Sequence, residues 1–355
     1  TDISVDYDEE SDKTSYIIKI RDDICFSDGT KMTSDDVIFT LYVLLDPSYT
    51  GKSPLCSVDV KGLDEYRLQL SAASLEKYGE IFDGVSAGVF DNGEYSREEI
   101  NEVNSASDKA WAKAVRDIVE YVAQSYGTDE LLSEYFTGTA NDLSNERFRI
   151  AYAMVATGFA RFSNGTLTST EKIGYNVEKG ELPDLSDFIS CTKSVYNNNL
   201  RAFADAQTKG ICENPYRAAK REFARNYSKA QESSVEEIKR IEGIKRLSKT
   251  QVEITTNGYD VRTIDSICEI NIAPLHYYGD KGAYSYEHDR FGFKRGELDD
   301  VFSKSAKPLG WGPYRFDCCN DGEIFLKASE NYYKGVPEVS ELRFRVVNEA
   351  IEPIK

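Results

Sequence analysis

A Gly-x-Ser-x-Gly pattern at residues 84–88 is the first candidate for chemistry. In serine hydrolases this pattern places the nucleophile on a sharp turn between a strand and a helix, and an acid and a histidine follow it in the chain. Ser86 would be the nucleophile, His276 or His288 the base, and Asp265 the group that orients the base. The residues after Ser86 are typical of a loop, so a serine hydrolase is the weakest of three hypotheses.

The residues that could bind a metal are scattered along the chain. No Cys-x-x-Cys pair occurs, and only His276 and His288 accompany the cysteines, whereas a zinc site needs clustered ligands. We therefore predict no metal site and no cofactor. An odd number of cysteines cannot pair completely within one chain, so buried free thiols are favoured over one or two disulfides. The seven cysteines are Cys25, Cys56, Cys191, Cys212, Cys268, Cys318 and Cys319.

The first 70 residues contain the signals of strands, turns and one helix. Residues 15–21 are rich in Ile and Tyr and predict a strand, and Asp28-Gly29 predicts a turn. Thr33 and Asp36 have the spacing of a capping box, so a helix should begin there and end near Asp46-Pro47. Residues 58–70 alternate between polar and apolar side chains and predict a further strand.

Residues 71–235 have helical periodicity and few strand signals. Ser96 and Glu99 predict a second capping box. We interpret this segment as an all-helical bundle inserted into an α/β domain, with further helices at residues 187–206 and 215–231. Two apolar stripes should face its core. They are Trp111, Val115, Ile118 and Val122, and then Phe148, Tyr152, Val155, Phe159 and Phe162.

Strand patterns return after residue 238. Residues 249–256 and 342–347 alternate and predict strands. The sequence Lys61-Gly-Leu is similar to Glu242-Gly-Ile, each before an alternating segment. We infer that these two segments form adjacent strands, with the helical segment inserted between them.

Composition excludes several classes of protein. The 355 residues include 61 acidic and 43 basic side chains, a net charge of −18, which would repel a nucleic acid. No apolar run of about 18 residues or more occurs, so no span of a bilayer is predicted. The N-terminus soon becomes acidic, unlike a secretory signal peptide. A cytosolic chain and a processed one both remain open.

Two separated motifs resemble one family. Residues 16–37 include Phe-Ser-Asp-Gly-Thr and end in Asp-Asp-Val, and residues 308–316 read Pro-Leu-Gly-Trp-Gly-Pro-Tyr-Arg-Phe. Residues 330–335 follow as Glu-Asn-Tyr-Tyr-Lys-Gly. In order and character these motifs resemble the extracytoplasmic solute-binding proteins of peptide and nickel ABC transporters. The resemblance covers residues 1–70 and 236–355.

The resemblance implies a mixed α/β lobe, like that of periplasmic binding proteins, with flanking helices. We expect residues 1–70 and 236–355 to form this lobe in part, with residues 71–235 as the insertion. The chain is similar to only a portion of the family, whose second lobe closes over the solute about a hinge. We therefore expect the opening strands, the leader and the second lobe to lie outside it.

Aromatic side chains are the candidate ligand contacts. Trp311 replaces the family's Thr between two glycines, and its indole could either stack on a ligand or cover the core. With Trp311 we select Tyr314, Tyr259 and Tyr278 as ligand-binding residues. His276 matches a local Pro-x-His feature of the family, which favours a structural role over a ligand or nickel contact. The acidic runs at residues 6–12 and 297–300 are interpreted as solvated faces, with weak cation binding as the alternative.

These observations favour the substrate-binding component of an ABC importer and not an enzyme. It would capture oligopeptides or similar solutes outside the cytoplasmic membrane and deliver them to the permease. The family implies a cell-surface lipoprotein or a periplasmic protein, joined to the membrane only through a lipid anchor outside this chain, with no nucleic-acid partner. The second hypothesis is a protein-interaction module built on the helical insertion, with solute binding secondary.

Overall fold

The computed structural model describes residues 2–51, 53–88, 93–229 and 237–345. The helices are α1 Ser34–Leu45, α2 Leu63–Leu68, α3 Ala72–Ala87, α4 Arg97–Tyr126, α5 Asp129–Tyr135, α6 Glu146–Ala156, α7 Leu185–Val195, α8 Leu200–Gln207, α9 Pro215–Lys229, α10 Thr263–Cys268, α11 Leu275–Tyr278 and α12 Asp299–Ser303. The strands are β1 Asp2–Asp8, β2 Lys13–Lys19, β3 Ala160–Ser163, β4 Thr166–Ser169, β5 Gly174–Asn176, β6 Ile244–Ser248, β7 Gln251–Asn257, β8 Tyr284–Ser285, β9 Arg290–Phe291, β10 Tyr314–Asn320, β11 Glu323–Ala328 and β12 Glu341–Arg345. The prediction of a mixed α/β fold is confirmed.

The chain divides into two compact units. Unit 1 contains Thr1–Gln69 and Glu237–Lys355, and unit 2 contains Leu70–Glu236. Within the described ranges, no helix combines the length and the apolar character that a membrane span requires.

The main sheet of unit 1 is antiparallel and has the strand order β1-β2-β7-β6. Tyr16 lies opposite Ile254, and Ile18 lies opposite Val252. These four side chains are buried on one face of the sheet, because alternate residues of a strand point the same way. The strands predicted at residues 15–21 and 249–256 are confirmed within two residues at their ends.

Helix α1 packs on this sheet and begins as predicted. Asp36 Oδ2 accepts a hydrogen bond from Thr33 N at 2.8 Å, which completes the capping box, and Asp46 ends the helix. Asp36 Oδ1 also accepts from Leu275 N at 2.9 Å. One buried carboxylate therefore caps α1 and fixes the start of α11.

The two motifs of the resemblance are in contact. Ser27 N donates to Gly310 O at 2.8 Å, and Asn331 Nδ2 donates to Ser27 O at 3.1 Å. Gly29 has a φ of +87°, which a glycine adopts readily and which confirms the Asp28-Gly29 turn. The loop before β10 leads into the antiparallel sheet β10-β11-β12. Strand β12 confirms the prediction for residues 342–347 as far as Arg345.

The strand predicted at residues 58–70 is wrong. Val60 makes an isolated bridge to Thr256, and residues 63–68 form helix α2. Leu63 and Tyr66 are the buried residues of α2, and their spacing of three fits a helix, whereas the alternation of Tyr66, Leu68 and Leu70 suggests a strand. Gly243 N donates to Lys61 O at 2.8 Å, so the two similar Gly-containing segments are adjacent as inferred, but the first continues into helix α2 and not into a strand.

Unit 2 is mainly helical. Ser96 and Glu99 form the predicted capping box of α4, and the stripe from Trp111 to Val122 is buried. Trp111 stacks on Phe203 at a ring distance of 4.7 Å, and its Nε1 donates to Thr192 Oγ1 at 2.8 Å. The helix predicted for residues 215–231 is confirmed as α9 up to Lys229; residues 230–231 lie outside the described residues.

The prediction that this segment is all-helical is wrong at residues 160–176, where β3, β4 and β5 form an antiparallel sheet. Phe159 and Phe162 therefore lie beyond helix α6, which ends at Ala156. The predicted helix at residues 187–206 is two helices, α7 and α8. Asn197 and Asn198 separate them with positive φ angles of 50° and 58°, a backbone conformation that interrupts a helix.

Candidate functional site

Tyr278 lies at the end of α11 and lines a cavity of about 670 Å³. Its hydroxyl accepts a hydrogen bond from Leu309 N at 3.0 Å, which joins α11 to the loop before β10. Burial raises the pKa of Tyr278, although the bond from Leu309 acts in the opposite direction. The phenol therefore stays neutral near pH 7 and offers the cavity an aromatic face.

The other three predicted ligand residues do not line this cavity. Trp311 is half-buried against the largest core cluster of unit 1, in agreement with the alternative that it covers the core. Tyr314 begins β10 and lies opposite Ala328. Tyr259 is 57% exposed, with its ring 5.7 Å from that of Tyr7. The structure does not bring the four residues into one site.

Aromatic rings form the apolar walls of the Tyr278 cavity. Tyr66 projects from α2, and its ring meets that of Tyr42 edge-on at 5.6 Å. Burial raises the pKa of Tyr66, so this wall is also uncharged. We name this site the aromatic cavity and define it by Tyr66, Tyr278, Phe291 and Phe293, together with the charged residues Asp280, Arg295 and Asp300.

Arg295 is the unsatisfied cation of the aromatic cavity. Its guanidinium lies 5.8 Å from the centre of the Tyr66 ring, and its Nε is buried without a hydrogen-bond partner. Within the described ranges, Arg295 makes no ion pair. The next residue is fixed, because Gly296 N donates to Oδ2 of the buried Asp46 at 3.0 Å. A planar guanidinium held in this way suits the two oxygens of a ligand carboxylate.

Two carboxylates supply the opposite charge. Asp280 Oδ1 accepts only backbone bonds, from Gly282 N at 2.8 Å and Ala283 N at 3.2 Å. Asp300 stands in the first turn of α12. Neither carboxylate forms an ion pair with a basic side chain in the part of the chain that is described. The cavity thus offers aromatic faces and uncompensated charges of both signs.

A second cavity of about 560 Å³ lies between the N-terminal end of α1 and the segment that joins β6 to β7. We name it the lysine cavity and define it by Lys31, Lys249 and Lys281, together with Arg246, Asp35 and Glu287. Arg246 donates to Asp35 Oδ1 at 2.7 Å and to Glu287 Oε1 at 2.6 Å.

His276 lines the lysine cavity and has a structural partner. Its Nε2 is 2.7 Å from Asp28 Oδ2. Burial alone would raise the pKa of Asp28, but hydrogen bonds from Thr30 and His276 outweigh burial and lower it. No group of three or more His, Cys, Asp or Glu side chains suited to a metal occurs among the described residues. These contacts agree with a structural role for His276.

Ser86 does not have the setting of a nucleophile. It lies inside helix α3, and Gly88 ends that helix with a φ of +67°. A nucleophile of this pattern needs a strand-to-helix turn that exposes its hydroxyl. The structure therefore contradicts the serine hydrolase hypothesis, because Ser86 does not lie on the strand-to-helix turn that it requires.

The predicted buried free thiols are found only in part. Cys191 and Cys212 are buried, but the free Cys268, Cys318 and Cys319 are exposed and Cys25 is half-buried. The side chain of Cys56 lies outside the description. Exposure at Cys318 and Cys319 follows from their position in β10, whose last four residues are all exposed.

Sequence reasoning missed Arg295, Asp280 and Asp300. The acidic run at residues 297–300 was interpreted as a solvated face, which agrees with the exposure of Glu297, Asp299 and Asp300, although Asp300 also lines the aromatic cavity. A signal was available at residues 289–296, where charged and aromatic residues alternate between glycines in Asp-Arg-Phe-Gly-Phe-Lys-Arg-Gly.

Residues 3–104 match the family model of bacterial extracellular solute-binding proteins, family 5 middle. The match includes the motif at residues 16–37 and ends within α4, so it crosses from unit 1 into unit 2. The comparisons with curated proteins and with solved structures find no match. Over residues 3–104 this chain is therefore similar to family 5 of the bacterial extracellular solute-binding proteins, and this similarity supports a solute-binding role.

Proposed function

We propose that this chain is the substrate-binding component of an ABC importer and captures short peptides for delivery to a permease. The observation that carries the proposal is the aromatic cavity, where, among the described residues, Arg295 and two carboxylates form no ion pair. A peptide with free ends is a zwitterion with apolar side chains, and it matches each of these features. The volume of about 670 Å³ lies within the usual range of small-ligand pockets, about 300–1,000 Å³.

Each end of the peptide has a partner in this proposal. The C-terminal carboxylate binds the guanidinium of Arg295 through two charge-assisted hydrogen bonds. The N-terminal ammonium binds Asp300 or Asp280. The side chains of the peptide pack against Tyr278 and Phe293, which tolerate many residue types because their faces are apolar and not specific in hydrogen bonding. Capture then requires no catalytic step.

The setting of this capture follows from the similarity to family 5. We propose that the chain acts outside the cytoplasmic membrane, as a cell-surface lipoprotein or a periplasmic protein. Unit 1 would be part of the solute-binding lobe, and unit 2 a mainly helical domain inserted into it. Unit 2 has its own buried core, centred on Trp111 and Phe203, which supports the view that it is a separate folding unit.

Calorimetric titration with one tripeptide in four forms tests the proposal. The forms are the free peptide, the N-acetylated peptide, the C-amidated peptide and the peptide with both ends blocked. We expect the free peptide to bind, and each blocked end to weaken binding about tenfold or more, because a hydrogen bond to a charged group contributes about 1.5–3 kcal/mol.

Nickel and a neutral disaccharide serve as the comparison ligands in the same titration. Binding of either one without binding of any peptide would reject the peptide assignment. Equal affinity for all four forms of the peptide would reject recognition of its charged ends.

A further inference from the structure

The lysine cavity differs from its surroundings in electrostatic character. Its three carboxylates are all engaged. Asp35 accepts from Arg246 at 2.7 Å and from Tyr284 Oη at 2.7 Å, and Glu287 accepts from Arg246 at 2.6 Å. Asp36 caps α1 and holds Leu275 N, as described above. None of these carboxylates forms an ion pair with a lysine of the cavity.

Lys31, Lys249 and Lys281 form no ion pair with an acidic side chain within the described ranges. With Arg246 they place four positive charges around the cavity against three carboxylates, a net charge of +1. The whole chain has a net charge of −18, so a cavity lining with a net charge of +1 and three lysines without ion pairs is a local reversal of sign. A concave surface with charge of one sign focuses the field and raises the local concentration of oppositely charged solutes.

The cavity also contains a hydroxyl that can donate. Ser248 Oγ accepts from Thr250 N at 3.2 Å, so its own hydrogen remains available to a ligand oxygen. By contrast, the Thr33 hydroxyl is engaged, because it donates to Asp36 Oδ2 at 3.0 Å.

We infer that the lysine cavity is a second, separate ligand site that binds a small polyvalent oxyanion of the phosphate or diphosphate class. The three lysines neutralise its charge, and Ser248 donates to one of its oxygens. This inference does not depend on the peptide proposal, because no residue that defines the lysine cavity also defines the aromatic cavity. A polyvalent anion fits better than a monovalent one, because three cations lack partners. The site is a cavity and not a flat patch, which favours a small anion over a membrane surface.

Direct binding of inorganic pyrophosphate and phosphate at constant ionic strength tests this inference. The variant Lys31→Gln/Lys249→Gln/Lys281→Gln removes the proposed ligands. The matched control, Lys19→Gln/Lys245→Gln/Lys307→Gln, removes the same charge from unit 1 without changing a residue that lines the cavity. We expect saturable binding to the wild type and to the control. The affinity of the cavity variant should be lower by about tenfold or more, since each exposed ion pair contributes up to about 1 kcal/mol.

Three outcomes would overturn the inference. Pyrophosphate and phosphate could fail to bind the wild type, or both triple variants could lose affinity equally, which would indicate an effect of net charge alone. Sedimentation with phosphatidylserine vesicles, without binding of either free anion, would assign the lysines to a membrane surface instead. Circular dichroism of each variant shows whether it folds, and the single variant Lys281→Gln provides a milder form of the same test.

Discussion

The aromatic cavity and the lysine cavity lie in the same unit but are built from different parts of the fold. The walls of the aromatic cavity belong partly to the core, since Tyr66 and Phe291 are buried, and its unsatisfied cation has a buried Nε. The lysine side chains at the rim of the lysine cavity are exposed, and the carboxylates of that cavity all accept hydrogen bonds. One site is therefore preorganised by packing, and the other is defined by uncompensated charge.

This difference indicates how one acidic chain can distinguish two kinds of solute. A half-buried guanidinium beside aromatic rings favours a ligand that supplies both charge and apolar surface. Exposed lysines provide long-range attraction with little demand on shape, and salt screens that attraction. The predictions below test this contrast, in order of decreasing effect.

The largest effect should come from removing an aromatic wall. Tyr66→Ala should destabilise the protein by about 3 kcal/mol or more, because it leaves a cavity beneath Arg295 and beside Tyr42. The control Tyr259→Ala, at a 57% exposed tyrosine, should change the free energy of unfolding by about 0.5 kcal/mol or less. Denaturant unfolding measures both, and equal losses would contradict the assignment of Tyr66 to the core.

The cation of the aromatic cavity should dominate peptide affinity. Arg295→Met keeps much of the apolar length of the side chain but removes the planar guanidinium. Peptide affinity should therefore fall about 10- to 100-fold. The control Lys294→Met removes a neighbouring charge that is already paired with Glu297 at the surface, and should lower affinity about twofold at most. Titration calorimetry with the free tripeptide compares the two variants. Similar losses in both would mean that Arg295 has no special role.

Added salt should lower the ligand affinities of the two sites to different extents, and this difference should be smaller than the effects of the substitutions above. Raising the salt from about 0.1 M to about 1 M shortens the screening length from about 10 Å to about 3 Å. We expect pyrophosphate affinity to fall about tenfold over this range and peptide affinity about threefold, because exposed charges are screened more than buried ones. Parallel titrations at the two salt concentrations measure this. The reverse order would contradict the contrast between the cavities.

The smallest effect concerns Asp28, the partner of His276 in the wall of the lysine cavity. The lowered pKa of Asp28 means that its charged form stabilises the fold above its ordinary pKa of 3.8, and that this stability is lost as the pH falls through the lower folded value. Wild type should exceed Asp28→Asn by about 0.5 kcal/mol at pH 6, after a discount for the partly exposed carboxylate. The difference should begin to shrink near pH 3.8 and vanish once the pH is below the lower folded pKa. A difference that is constant with pH would contradict a charged role for Asp28.

The elements that sequence predicted best have local causes. Helix α1 combines a capping box at Thr33 and Asp36 with an apolar pattern, and both lie within a few turns of one another. Strands β2 and β7 alternate in their own sequences. The hairpin of β3 and β4 was missed although Asn164-Gly165, with φ angles of 50° and 73°, supplies the residues that favour a tight two-residue turn.

The candidate site was less predictable because its residues come from segments distant in the chain. Tyr66 and Arg295 meet only in the folded protein, and no periodicity connects them. Asp36 was identified as a helix cap, but its second bond to Leu275 N depends on a contact 239 residues away. Tyr278 was the one predicted ligand residue that lines the aromatic cavity, and the family resemblance gave no reason to separate it from Trp311, Tyr314 and Tyr259.

Photo-crosslinking of a bound peptide tests the central claim most directly. The tripeptide carries a benzophenone side chain, and mass spectrometry then identifies the residues that become attached to it. We predict attachment at Tyr66, at Tyr278 or within residues 288–304, and competition by the unmodified peptide. Attachment confined to unit 2, or to the rim of the lysine cavity, would contradict the proposal that the aromatic cavity captures peptides.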